Sequence, residues 1–223
     1  MAMKPEFWLQ RWDENKIGFH LDEENPHLIK NWPQLGVAPG SRVFVPLCGK
    51  SVDLRWLAEQ GYFVEAIELS DSAIEQFFNE QGIEYQRQQQ GDWIVFESEH
   101  IRIWCGDFFH LMAEQLGPID AVYDRASLIA LPSELRSDYV SQLMSLVGPV
   151  PQLLVVLDYP QQQMSGPPFS VVNDEVITLY RDFYETDKIV VNRTDVLPEH
   201  AHFADRGLTS LFECVYLMQV SKK

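Results

Sequence analysis

One stretch, Arg42–Ser70 (RVFVPLCGKSVDLRWLAEQGYFVEAIELS), limits the possible folds more than any other part of the chain. Val43–Leu47 is a short apolar run entered from a Pro39-Gly40 turn and reads as a buried strand. Gly49 supplies a tight turn. Ser51–Gln60 reads as a helix, with Leu54, Leu57 and Ala58 at helical spacing and Gly61 as its stop. Phe63–Ile67 is a second strand, and Glu68 sits at its tip, 19 residues beyond Gly49. A strand–turn–helix–strand unit with an acid at the second strand tip suits a nucleoside. The turn presents backbone N–H groups, and the acid accepts hydrogen bonds from a ribose diol.

The rest of the chain continues the alternation. Phe7–Trp12 and His27–Trp32 read as short helices, broken by Asp22–Pro26. Ser70 or Ser72 opens a helix that buries Ala73, Ile74, Phe77 and Phe78; Ser72 with Glu75 matches a capping box, and Gly82 ends the helix. Gln86–Gln90 reads as a solvated turn. Trp93–Glu97 and Ile101–Trp104 form a hairpin across Ser98–His100. Ile119–Tyr123 is a strand, Ser133–Leu146 a helix, Leu153–Leu157 a central parallel strand, Val176–Tyr184 a helix and Phe212–Val220 a strand. The expected fold is α/β: a doubly wound, mostly parallel central sheet. It makes one domain over 1–223, with 1–38 as an N-terminal helical lid and 39–223 as the core. Ligands in such sheets bind beyond the carboxyl ends of the strands. That selects Leu47–Gly49, Glu68, Cys105–Phe108 and Tyr123–Arg125.

Charge narrows the partners. Seventeen basic against 33 acidic residues leave −16, a surface that repels phosphate backbones and anionic membranes. Neither nucleic acid nor membrane is an expected partner; a small molecule is, and the chain reads as a monomer. The three cysteines, Cys48, Cys105 and Cys214, lie in or beside apolar runs and form no C-x-x-C pair. Free thiols, no apolar signal core and no run of transmembrane length imply a cytoplasmic protein. No metal is expected: His200 and His202 would share a strand face, but no third ligand lies nearby.

The first turn, Pro46-Leu47-Cys48-Gly49-Lys50-Ser51, has one glycine where a dinucleotide fold needs three and a P-loop needs two. S-adenosylmethionine carries no phosphate, and one glycine can serve it. Glu68 would bind its ribose. Asp107 would accept from adenine N6, with Phe108 on the ring face. Trp8 and Trp12 would cover the sulfonium by cation–π attraction. Plainer roles stand beside these: Glu68 as a helix cap, Asp107 as a loop residue, Trp8 and Trp12 as core aromatics, and Arg125 paired with Asp124 or a surface acid. Cys48 is a poor nucleophile, having no histidine beside it in sequence. A nicotinamide-dependent oxidoreductase uses the same α/β unit and is the rival enzyme class; a nucleoside-binding module without turnover is a further rival.

The motifs FWLQRW (Phe7–Trp12), IGFH (Ile17–His20), VFVPLCGKSVDLRWLAEQG (Val43–Gly61), VEAIELS (Val64–Ser70), YDRASL (Tyr123–Leu128), GPPF (Gly166–Phe169) and RGLTSLFE (Arg206–Glu213) together resemble the thiopurine S-methyltransferase family of the bacterial type. The resemblance runs along nearly the whole chain. It implies a class I, Rossmann-like methyltransferase fold with S-adenosylmethionine as donor. It also implies donor contacts at Trp12, Leu47, Glu68 and Arg125, with Trp8, Asp107 and Phe108 beside them; Gly49 joins the cofactor-binding set from the reading of its turn. Phe19 matches a substrate-pocket aromatic, and Arg206, at a position where the family varies, falls on the substrate side. The implied acceptors are aromatic and heterocyclic thiols, or selenium and tellurium species in metalloid detoxification. Arg125 would be the catalytic group, favouring the thiolate form of the acceptor.

Overall fold

The computed structural model describes residues 5–18, 20–199 and 201–220. Among them, nine strands join in one sheet: β1 (Arg42–Val45), β2 (Phe63–Glu68), β3 (Gln86–Gln90), β4 (Trp93–Glu97), β5 (Ile101–Cys105), β6 (Ala121–Arg125), β7 (Gln152–Asp158), β8 (Ile189–Asp195) and β9 (Phe212–Met218). The order across the sheet is β3-β4-β5-β2-β1-β6-β7-β9-β8. The centre is parallel, with Val43 opposite Val64 and Ala121, Ile67 opposite Trp104, and Tyr123 opposite Leu153. Both margins are antiparallel, β4 on β5 and β9 on β7. From β1 the chain first works outward to one side, then returns to β6 on the other. The reversal falls between β1 and β6 and opens a crevice at their carboxyl ends.

Nine helices flank or follow the strands: α1 (Pro5–Asp13), α2 (Pro26–Asn31), α3 (Asp53–Glu59), α4 (Asp71–Gln81), α5 (Ala113–Leu116), α6 (Ser127–Ala130), α7 (Ser133–Val147), α8 (Asn173–Tyr180) and α9 (Ala201–Asp205), counted among the described residues. The period-2 alternation of the strands sorts side chains onto two faces. Val43, Val45, Ala66 and Leu153 pack with Leu54, Leu57, Phe77 and Phe78 of α3 and α4. Phe44, Ile67, Val122 and Leu154 pack with Tyr139 and Leu143 of α7 and Val176 and Tyr180 of α8. Each fully buried aromatic or branched side chain contributes about 1.5–3 kcal/mol by leaving water; the polar residues buried on the central strands, such as Glu65, Glu68 and Asp124, each accept hydrogen bonds.

Several details differ from the sequence reading. Gln86–Gln90 is an edge strand, not a turn; its backbone pairs with β4 while its side chains face water on both sides. Ile189–Asp195 is a further strand, equally exposed, with no buried face to give it a pattern. Ser70 alone caps α4, accepting from Ala73 N at 3.2 Å, and Ser72 bonds to Ser70 instead of closing a capping box. β7 is parallel to β6 but antiparallel to β9, so it marks the end of the parallel core. His202 lies on helix α9 instead of a strand, and His200 lies outside the described residues. Among the described residues, no group of three or more ligating side chains could hold a metal, and no helix is long and apolar enough to cross a membrane.

Candidate active site

The carboxyl end of β1 runs into a turn held by two positive-φ residues, Leu47 (φ 45°) and Gly49 (φ 55°). Cys48 N donates to Ile67 O at 3.0 Å, binding the turn to β2. Gly49 is required for two reasons. Its φ is left-handed, and a Cβ there would meet Cζ2 of Trp12 at 3.1 Å. Trp12, on α1, is 6 % exposed and roofs the turn. Trp8 is half-buried one turn away and packs edge-on against Phe7.

Glu68 ends β2 beneath this turn. Its Oε2 accepts from Gly49 N at 2.9 Å and its Oε1 from Ser70 N at 2.8 Å. The carboxylate thus shapes the turn and also supports the cap of α4. Burial raises its pKa, against the opposing pull of those backbone N–H groups, and no cation is paired with it among the described residues. Asp107 follows β5 and accepts from Phe109 N at 3.0 Å, capping a short helical turn while staying partly exposed. Phe108 differs from its expected part. Its ring is 2 % exposed and stacks in the core on Tyr139 at 4.9 Å, leaving no open face for a ligand. Trp93 takes the neighbouring place instead, its ring set against Gly106.

At the tip of β6, Arg125 is half-buried. It shares a pocket with Trp12, His20, Leu47, Cys48, Gly49, Lys50, Tyr123 and Ala126. Arg125 forms no ion pair with Asp124. That carboxylate points to the opposite face, is fully buried, and accepts from Tyr139 Oη at 2.7 Å. Among the described residues, the Arg125 guanidinium has neither a hydrogen-bond nor an ion-pair partner. Ala126, next in the chain, sits at φ 70°, which for an alanine costs about 1–2 kcal/mol. Ser127 Oγ donates to Pro46 O at 3.2 Å, tying the β6 turn to the β1 turn. Lys50 is already engaged, its Nζ 2.7 and 2.9 Å from the Glu80 carboxylate oxygens.

Two other expectations fall elsewhere. Phe19 lies outside the described residues. Arg206 is exposed, with its guanidinium over Phe203 at 5.7 Å, and does not line the Arg125 pocket. Cys48 is buried with its pKa raised well above the usual thiol value by burial, which removes it as a nucleophile. Sequence reasoning did not single out His20 or Lys50; the IGFH motif was the one signal for the former. A second, larger cavity of about 870 Å³ opens at the end of β7. Its two arginines are already paired, Arg136 with Glu175 and Arg193 with Asp158.

A ligand for the β1–β6 crevice has to bring a group for an unpaired guanidinium, a donor or diol for a buried carboxylate, and a cation for a tryptophan roof. The residues fit S-adenosylmethionine on each count, and the sheet order with its antiparallel margin defines a class I methyltransferase. Solved structures with this fold include the Burkholderia thailandensis 1,6-didemethyltoxoflavin-N1-methyltransferase with bound S-adenosylhomocysteine (TM-score 0.62, 14% identity, 97% of this chain and 87% of that one). Another is the magnesium protoporphyrin IX methyltransferase of Synechocystis PCC 6803, also with S-adenosylhomocysteine (TM-score 0.59, 13% identity, 96% and 99%). The Thiopurine S-methyltransferase (TPMT) family model matches residues 3–221. The thiopurine S-methyltransferase of Pseudomonas fluorescens SBW25 is 46% identical over 215 residues, covering 96% of this chain and 98% of the relative. That of Nitrosospira multiformis is 46% identical over 217 residues, covering 97% and 98%. The chain belongs to the thiopurine S-methyltransferase family, and it is an enzyme that uses S-adenosylmethionine as methyl donor.

Proposed function

We propose that the enzyme methylates the sulfur of aromatic or heterocyclic thiols. The observation that carries this reading is the half-buried Arg125 guanidinium at the β6 tip, without a hydrogen-bond or ion-pair partner among the described residues, which supports a hold on an anion beside the donor crevice. S-adenosylmethionine supplies a methyl group on a positively charged sulfur. Glu68 would hold its ribose, the Leu47–Gly49 turn its amino-acid end together with Arg125, and Asp107 its adenine. Trp12 and Trp8 would roof it. Methyl transfer to a thiolate cancels charge, so rate comes from alignment and exclusion of water more than from added charge stabilisation. Arg125 favours the ionised acceptor, and α1 covers the donor, with Phe19 proposed on the substrate side.

On this reading residues 1–223 are one catalytic domain with 1–38 as its lid, acting as a cytoplasmic monomer on a small molecule. Its relatives in Pseudomonas fluorescens SBW25 and Nitrosospira multiformis are thiopurine S-methyltransferases, which supports the sulfur acceptor. The free cysteines Cys48, Cys105 and Cys214 suit a reducing compartment. The test is transfer of labelled methyl from S-adenosylmethionine to a panel of aryl thiols, with selenite, tellurite and their reduced forms alongside. Turnover of the thiols is the expected result. Turnover of the metalloid species alone replaces the thiol reading with metalloid methylation, and labelling of neither overturns it.

A further inference from the structure

The Arg125 pocket holds an imidazole that the proposed mechanism leaves idle. His20 lines it together with Trp12, Gly49 and Arg125. The His20 side chain is 12% exposed, and its backbone N–H is anchored on Ile17 O at 2.8 Å. Four charged groups face it. Lys50 comes from the β1 turn, Arg125 from the β6 tip, Glu80 from α4, and Asp22 from its own loop. Asp22 Oδ1 stands 3.7 Å from Nε2, too far for a hydrogen bond. Among the described residues the imidazole makes no hydrogen bond. Burial, then Lys50 and Arg125, hold its pKa below the usual histidine value, while Asp22 and Glu80 pull the other way. At neutral pH the ring is therefore uncharged and carries a lone pair.

We propose that His20 is the general base that ionises the acceptor, taking the thiol proton while Arg125 receives the thiolate. The inference rests on the thiol reading above. The S–H bond breaks, its electron pair stays on sulfur, and the proton moves to an imidazole nitrogen. The sulfur then forms its bond to the methyl carbon as the donor's carbon–sulfur bond breaks, leaving that pair on the donor sulfur. The imidazolium returns its proton to water on the exposed Asp22 side. The charges suit this order. Proton transfer creates an anion beside Arg125 and a cation beside Asp22, so the pocket's net charge does not change during the step. Acceptors more acidic than the medium need no such help; weakly acidic thiols do.

The test uses the full chain with S-adenosylhomocysteine and a series of substituted benzenethiols whose acidities span the assay pH. The wild-type complex is expected to bind a weakly acidic benzenethiol as the thiolate, seen by its ultraviolet absorbance, with the His20 ring protonated by NMR. His20→Gln should bind it as the thiol. In turnover with S-adenosylmethionine, the rate ratio of weakly to strongly acidic thiols should fall about 100-fold in the variant. A wild-type enzyme that methylates thiols while the bound ring stays neutral overturns the role of His20 and leaves thiol methylation standing. An unchanged ratio does the same. Failure to methylate any thiol overturns both. The wild-type NMR titration decides the matter even where the variant does not fold.

Discussion

Replacing Asp124 by asparagine tests how the Arg125 turn is built. Asp124 is wholly buried one residue before Arg125, and its Oδ2 accepts from Tyr139 Oη at 2.7 Å. Among the described residues Oδ1 has no hydrogen-bond partner, since the nearby Ser127 hydroxyl donates to Pro46 O. Burial raises its pKa from 3.8 to about 6, and the Tyr139 hydroxyl softens the rise. The displacement of about two units amounts to about 3 kcal/mol. The folded-state pKa is the higher one, so this stability is fully present below pH 3.8 and is lost as pH rises through about 6. Asparagine keeps an acceptor for Tyr139 and does not ionise. Urea unfolding of both proteins across about pH 4.5–7.5 should show the wild type losing about 2 kcal/mol relative to the variant, nearly all of it below about pH 6. Parallel stability curves would refute the reasoning, because they would mean that the carboxyl does not titrate in that window.

Other substitutions probe the crevice directly. Gly49→Ala forces a side chain onto a left-handed residue and into Trp12, so it should lower stability by about 1–2 kcal/mol and weaken S-adenosylhomocysteine binding, measured by thermal melting and calorimetry. Trp12→Ala removes the roof; it should cost S-adenosylmethionine about 0.5–2 kcal/mol more affinity than S-adenosylhomocysteine, which lacks the positive sulfur, and equal losses would count against a cation–π role. Glu68→Gln turns one acceptor into a donor facing Gly49 N–H or Ser70 N–H. It should weaken donor binding and destabilise by about 1–3 kcal/mol in chemical unfolding. Arg125→Ala should lower turnover more at low pH than at high pH, and an equal loss at every pH would remove its proposed hold on the thiolate.

The central strands and the crevice were legible because they obey strict rules. A parallel strand buried on both faces must be apolar, and a tight turn after it needs a left-handed residue, so Val43–Gly49 and Glu68 could be read directly. Arg125 followed from its place after an apolar run. What stayed hidden had no such rule behind it. The edge strands at Gln86–Gln90 and Ile189–Asp195 are exposed on both faces, so hydrophobic patterning is silent about them. The inward turn of Phe108 stayed hidden because the sequence locates a ring at a strand end without saying which way it points; packing on Tyr139 decides that. His20 joins the pocket from a loop far from the strands, a proximity that only the folded chain reveals.

The hydrogen bond from Ser127 to Pro46 O has a broader consequence. The Leu47–Gly49 turn and the loop that carries Arg125 cannot drift apart independently, so substitutions in the two should combine non-additively. Adaptation to new acceptors is easier through parts outside this clasp that do not roof the turn, chiefly the segment following β7. A lineage of such enzymes can then diversify what it methylates without relearning how to hold its methyl source.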